Sequence, residues 1–142
     1  MPYRANYPAT VREVLDPTRK YRPAVLRAVR ALRRTGAWRG TLRERQRRFA
    51  RLHRRLCRAY RLRVRLVFVN GKGSSGGSSY SPKGRTIRLR GRLSVVTYLH
   101  EFAHARGYDE RQACAWSINL FARCFPRSLA RCRHVGHMLV AR

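Results

Sequence analysis

The eleven residues from Val95 to Ala105 contain no lysine or arginine, in a chain where nearly one residue in four is basic. Apart from His100, Glu101 and His104, every side chain in the segment is uncharged. Val95, Val96, Leu99, Phe102 and Ala103 recur at helical spacing, so they supply one buried face. A helix is predicted from about Ser94, its N-cap, to Arg106. Burying two histidines and a carboxylate in such a helix is costly unless they share a partner.

The spacing of those three residues names the partner. His100 and His104 stand four apart, so on a helix they project from one face, a turn apart. Glu101 can then reach a water held between them without being a ligand itself. His-Glu-x-x-His in a helix is the arrangement with which zinc is held for hydrolysis. A catalytic zinc takes three protein ligands and keeps one position open. Gly107 lets the chain leave the helix and turn back, which brings Glu110 into the first turn of the next helix as third ligand. Asp109 is the substitute if the turn is tighter, although capping already gives it a role. The competing reading is a helix whose His pair only packs or faces water.

Elsewhere the 142 residues read as one α+β domain, 1–142, in three parts. Residues 1–20, with Pro2, Pro8 and Pro17, are expected to be an irregular arm with at most a short turn around Val11–Leu15. Residues 21–63 read as basic helices. Pro23 starts the first, Val25, Leu26, Val29 and Leu32 form its stripe, and Gly36 stops it. Thr41-Leu42-Arg43-Glu44 is a capping box, and Leu42, Phe49, Leu52, Leu56 and Tyr60 carry the second helix to about Arg63. In residues 64–142, Val64–Val69 alternates as a strand, and Asn70–Gly77 is a Gly/Ser-rich loop. Ser78–Ser81 and Thr86–Arg90 form a hairpin around Pro82-Lys83-Gly84-Arg85. The His-Glu-x-x-His helix follows, and then a helix capped by Asp109 that ends before Pro126. The tail has room for one short helix.

The formal net charge is +28, from 34 basic and 6 acidic residues, and three of the basic residues are lysines, so 31 are arginines. Such a chain draws polyanions, nucleic acid before anionic membrane. Arg47, Arg51, Arg54, Arg58 and Arg61 are spaced 4, 3, 4 and 3 along the second helix. They make a stripe roughly 21 Å long at ~1.5 Å per residue, with no acid between them. The stripe is either a phosphate-binding face or a solvated one. No run approaches the ~20 apolar residues of a membrane span. The first twenty residues lack the apolar core of a secretion signal, so a cytoplasmic setting is expected. Cys57, Cys114, Cys124 and Cys132 form no CxxC pair and read as free thiols. Cys124, Cys132, His134 and His137 fit none of the usual structural-zinc spacings.

Strand, Gly-rich hairpin, His-Glu-Phe-Ala-His helix and acidic second helix together resemble the zincin metallopeptidases. The likeness is to the small catalytic cores of SprT-like proteases and minigluzincins, over about residues 62–125. His100-Glu101-x-x-His104-x-x-Gly107-x-x-Glu110 is similar to the ligand spacing of metzincins and WLM proteases, which place His where Glu110 stands. Glu110-Arg-Gln-Ala113 instead resembles the gluzincin glutamate helix, in which Glu is the ligand. The resemblance implies a peptidase with zinc on His100, His104 and Glu110, and Glu101 as general base. Tyr108, Tyr80, His134 and His137 are its candidate oxyanion donors, and Ser78–Ser81 is its substrate-pairing edge strand. A protein or peptide is the expected substrate, with DNA or RNA on the basic helices. The alternative is a nucleic-acid-binding protein with a structural or silent zinc site, or a metal-free basic module.

Overall fold

The computed structural model describes residues 10–69, 78–91, 93–135 and 138–141. These residues form a mixed α+β fold of six helices and two small sheets. The Gly/Ser-rich loop expected at 70–77 and the first nine residues of the expected arm lie outside the described part.

Helix α1 (Val11–Val14), capped by Thr10, is a single turn at the place where a short turn is expected, around Val11–Leu15. Val11 and Val14 are buried against Cys114 and Ile118. Asn119 fixes the same segment by accepting from the Asp16 amide at 2.6 Å and donating to the Val14 carbonyl at 2.8 Å. What this turn packs against has no local sequence signal, because the partner lies over 100 residues away.

Helix α2 (Pro23–Thr35) starts on its proline and ends at Gly36, whose φ of +88° suits a residue without a Cβ. Helix α3 (Leu42–Tyr60) opens with the Thr41–Glu44 capping box and ends slightly before the predicted Arg63. The two helices pack together through Val25, Val29, Leu32, Phe49, Leu52 and Leu56. Arg43, Arg47, Arg54 and Arg58 of α3 are exposed, and Arg48, Arg51 and Arg55 border the contact beside Ala28, Leu32 and Thr35.

Strands β1 (Arg65–Val69), β2 (Ser79–Ser81) and β3 (Thr86–Arg90) form a sheet in the order β1-β3-β2. β3 runs parallel to β1 and antiparallel to β2. Among the described residues, β2 therefore has one hydrogen-bonded neighbour and lies at an edge of the sheet. Ile87 and Leu89 are buried while Arg88 is exposed, as the alternation required.

Helix α4 (Val95–Ala105) carries the His-Glu-x-x-His sequence, with Ser94 accepting from the Thr97 amide at its start. Tyr98, Leu99, Phe102 and Ala103 are fully buried. Helix α5 (Glu110–Cys124) packs back along α4, and Trp116 stacks on Phe102 with 6.0 Å between ring centroids. Helix α6 (Pro126–Arg131) follows, then β4 (Cys132–Val135) paired antiparallel with β5 (Met138–Ala141). That last hairpin was not anticipated. Among the described residues, no helix is long and apolar enough to cross a membrane.

Candidate metal centre

The α4–α5 junction builds the site. α4 closes in a Schellman motif: the Gly107 amide donates to the His104 carbonyl and the Tyr108 amide to the Ala103 carbonyl. Gly107 takes a φ of +90° to do so. Asp109 then caps α5, accepting from the Gln112 amide at 2.8 Å while the Gln112 side chain accepts from the Asp109 amide at 3.0 Å. With the Asp109 carboxylate so engaged, Glu110 in the next position turns toward α4.

Three atoms meet there. Glu110 Oε1 lies 2.9 Å from His100 Nε2 and 2.7 Å from His104 Nε2, and the two nitrogens are 3.1 Å apart. His104 Nδ1 is 2.9 Å from the Tyr108 carbonyl, which can only accept, so the ring proton belongs on Nδ1 and Nε2 carries a lone pair. A proton can serve one pair of these atoms, whereas a single divalent cation serves all three. Ligand atoms of tetrahedral zinc lie about 3.3 Å apart, so a small outward relaxation suffices. The donor set of two imidazoles and a carboxylate suits zinc. Side-chain exposures of 20% for His100, 22% for His104 and 43% for Glu110 leave one side of the cluster open to a further ligand.

Burial raises the pKa of Glu110, but the hydrogen bonds and charges of His100 and His104 outweigh it and hold the carboxyl below its ordinary value. Glu101 is oppositely placed. It is buried, and one of its oxygens lies within 4.8 Å of the ligand nitrogens of His100 and His104. Burial pushes its pKa up to about 7, opposed by His104 and by a hydrogen bond from the Tyr80 backbone, and reinforced by Glu110. The edge strand β2 thus faces the carboxylate that adjoins the cluster.

Cys114 also belongs to this neighbourhood, and sequence reasoning treated it only as a free thiol. Its sulfur lies 3.7 Å from His100 Nδ1, and His100, Glu110 and Cys114 form a second group of possible metal ligands, with one ligand atom of each within 4.8 Å of the others. Burial, with Glu110 second, raises the pKa of its thiol to about 12. Its position four residues after Glu110 on one helix was the available signal.

Other expected site residues are not part of the cluster. Tyr108 contributes its carbonyl, while its ring packs against the Arg106 guanidinium at 4.6 Å. Tyr80 sits in β2. The His134 side chain and all of His137 lie outside the described residues. Cys124 is buried and Cys132 donates to the Ser128 carbonyl. Arg47, Arg51, Arg54, Arg58 and Arg61 are all exposed along α3 and its C-cap, as one continuous face. Compared with family models, curated proteins and solved structures, the chain matches none of them.

Proposed function

We propose that the chain is a zinc-dependent peptidase that works close to nucleic acid. One observation carries the reading: the convergence of His100 Nε2, His104 Nε2 and Glu110 Oε1 within 3.1 Å of one another, beside a buried Glu101. Those three atoms would hold the metal. Zinc, when bound, supplies Lewis acidity and draws the pKa of water down to about 7. Glu101 takes the proton of the attacking water and returns it to the leaving amine. The Tyr108 carbonyl orients the His104 imidazole from behind, and the Cys114 sulfur lies against His100 Nδ1. β2 offers an open edge on which an extended peptide can add as a further strand, running past Glu101. These features favour the zincin-like framework that the SprT-like resemblance implies. The exposed arginines from Arg47 to Arg61 would hold DNA or RNA through its phosphates.

Glu101→Gln is the test. The variant should keep its zinc and lose at least about 100-fold of the proteolysis seen with wild type on an unstructured protein, since Gln cannot act as a base. A wild type that binds zinc and cuts nothing, with or without DNA or RNA, would instead leave a nucleic-acid-binding module with a structural or silent zinc.

A further inference from the structure

Trp38 is 50% exposed, while the other tryptophan, Trp116, is buried in the core. It is nevertheless held firmly. Ala37, the residue before it, is buried, and the indole meets Phe125 edge-to-face with 5.4 Å between centroids. The Arg48 guanidinium donates to the carbonyl of Gly36 and to that of Arg39, clamping the backbone on both sides of the tryptophan. Trp38 forms part of the wall of a groove of about 720 Å³ between the end of α2 and the start of α6. Arg33, Arg34, Arg39 and Arg127 line the same groove, and no acidic residue does. All four arginines are exposed.

A fixed aromatic face surrounded by cations suits a ligand that combines flat rings with a polyanionic backbone. An unpaired base can stack on the indole while neighbouring phosphates meet the guanidinium groups. In a duplex the base faces are already occupied by one another. An acidic peptide would satisfy the arginines and leave the indole without a planar partner.

We propose that this groove binds single-stranded nucleic acid, with one base stacked on Trp38 and flanking phosphates on the surrounding arginines. It uses neither the metal centre nor the stripe of Arg47, Arg51, Arg54, Arg58 and Arg61, and it goes beyond the function proposed above.

The full chain can be titrated with labelled oligothymidylate, oligouridylate and a duplex of the same length. Trp38→Ala should weaken binding of the preferred single strand on the order of tenfold, and leave duplex affinity and the salt slope unchanged. Removing Arg34 and Arg127 together should reduce the salt slope by about 0.7 for each phosphate that they neutralise in the wild type. In the wild type, whose Trp116 is buried, single strands should quench tryptophan emission and polyglutamate should not; this reading stands even if a variant folds poorly. Charge reversal at Arg51, Arg54 and Arg58 should leave the quenching intact. Equal weakening on single strand and duplex, absence of quenching, or equal quenching by polyglutamate would overturn the proposal.

Discussion

His53 shows how much one polar side chain can organise. It lies in α3 among exposed arginines yet is itself buried. Its Nε2 lies 2.6 Å from the Val64 carbonyl and its Nδ1 2.7 Å from the Tyr98 hydroxyl, so a neutral ring ties α3 to α4 and to the entry of β1. Burial drives its pKa below the ordinary 6.5, opposed by the Val64 carbonyl. The unfolded chain therefore takes up the proton first as pH falls below that value, and this residue's contribution to stability declines with it. Glu101 runs the other way, because its folded pKa of about 7 lies above the ordinary 4.5. Comparison with His53→Gln isolates the histidine: in urea titrations, the advantage of wild type should shrink between about pH 7.5 and pH 5. A constant or growing advantage would mean that the ring accepts its proton within the fold. Phe49, His53, Leu56 and Tyr60 are spaced 4, 3 and 4, which puts His53 on the apolar face of α3, but its partners at Val64 and Tyr98 come from other parts of the chain. Glu110 was legible because Gly107 and the cap at Asp109 fix its place by local rules. Cys114 and Trp38 were not, since each matters through a neighbour contributed by another element.

Elements with strong local signals were readable from sequence. α3 declares itself by a capping box and a long apolar stripe, and α4 by its lack of basic residues. The parallel pairing of β1 with β3 depends on crossover geometry, and the docking of α1 on α5 on a contact across the whole chain. Neither leaves a local trace. Two element-level outcomes follow from the hydrogen bonds. Asn119→Ala strands the Asp16 amide and the Val14 carbonyl, so it should cost about 1–3 kcal/mol and release α1 to hydrogen exchange. Unchanged protection of residues 11–14 would show that Val11 and Val14 suffice. At Gly107 an added Cβ would meet nothing within 4 Å, so Gly107→Ala meets only the left-handed backbone penalty, about 1–2 kcal/mol by urea unfolding. A neutral substitution would mean that the Schellman turn relaxes.

At the scale of the whole molecule, charge dominates. Among the described residues, the one arginine–carboxylate side-chain pair within 4.0 Å is Arg48–Glu44, at 3.8 Å. The remaining arginines repel one another, and salt should relieve that repulsion. Raising ionic strength from about 10 mM to about 0.1 M shortens the Debye length from ~30 to ~10 Å, and Tm should rise with it. A falling Tm would mean that attractive surface pairs prevail. The same charge bears on where the chain works and leaves the chemistry of the α4–α5 junction to be tested separately. Metal content of the purified chain does so most directly. About one zinc per wild-type chain is expected, lost in both His100→Ala and Glu110→Ala. A correctly folded wild type that carries no zinc and takes none up when it is supplied would contradict the metal centre, and with it the peptidase.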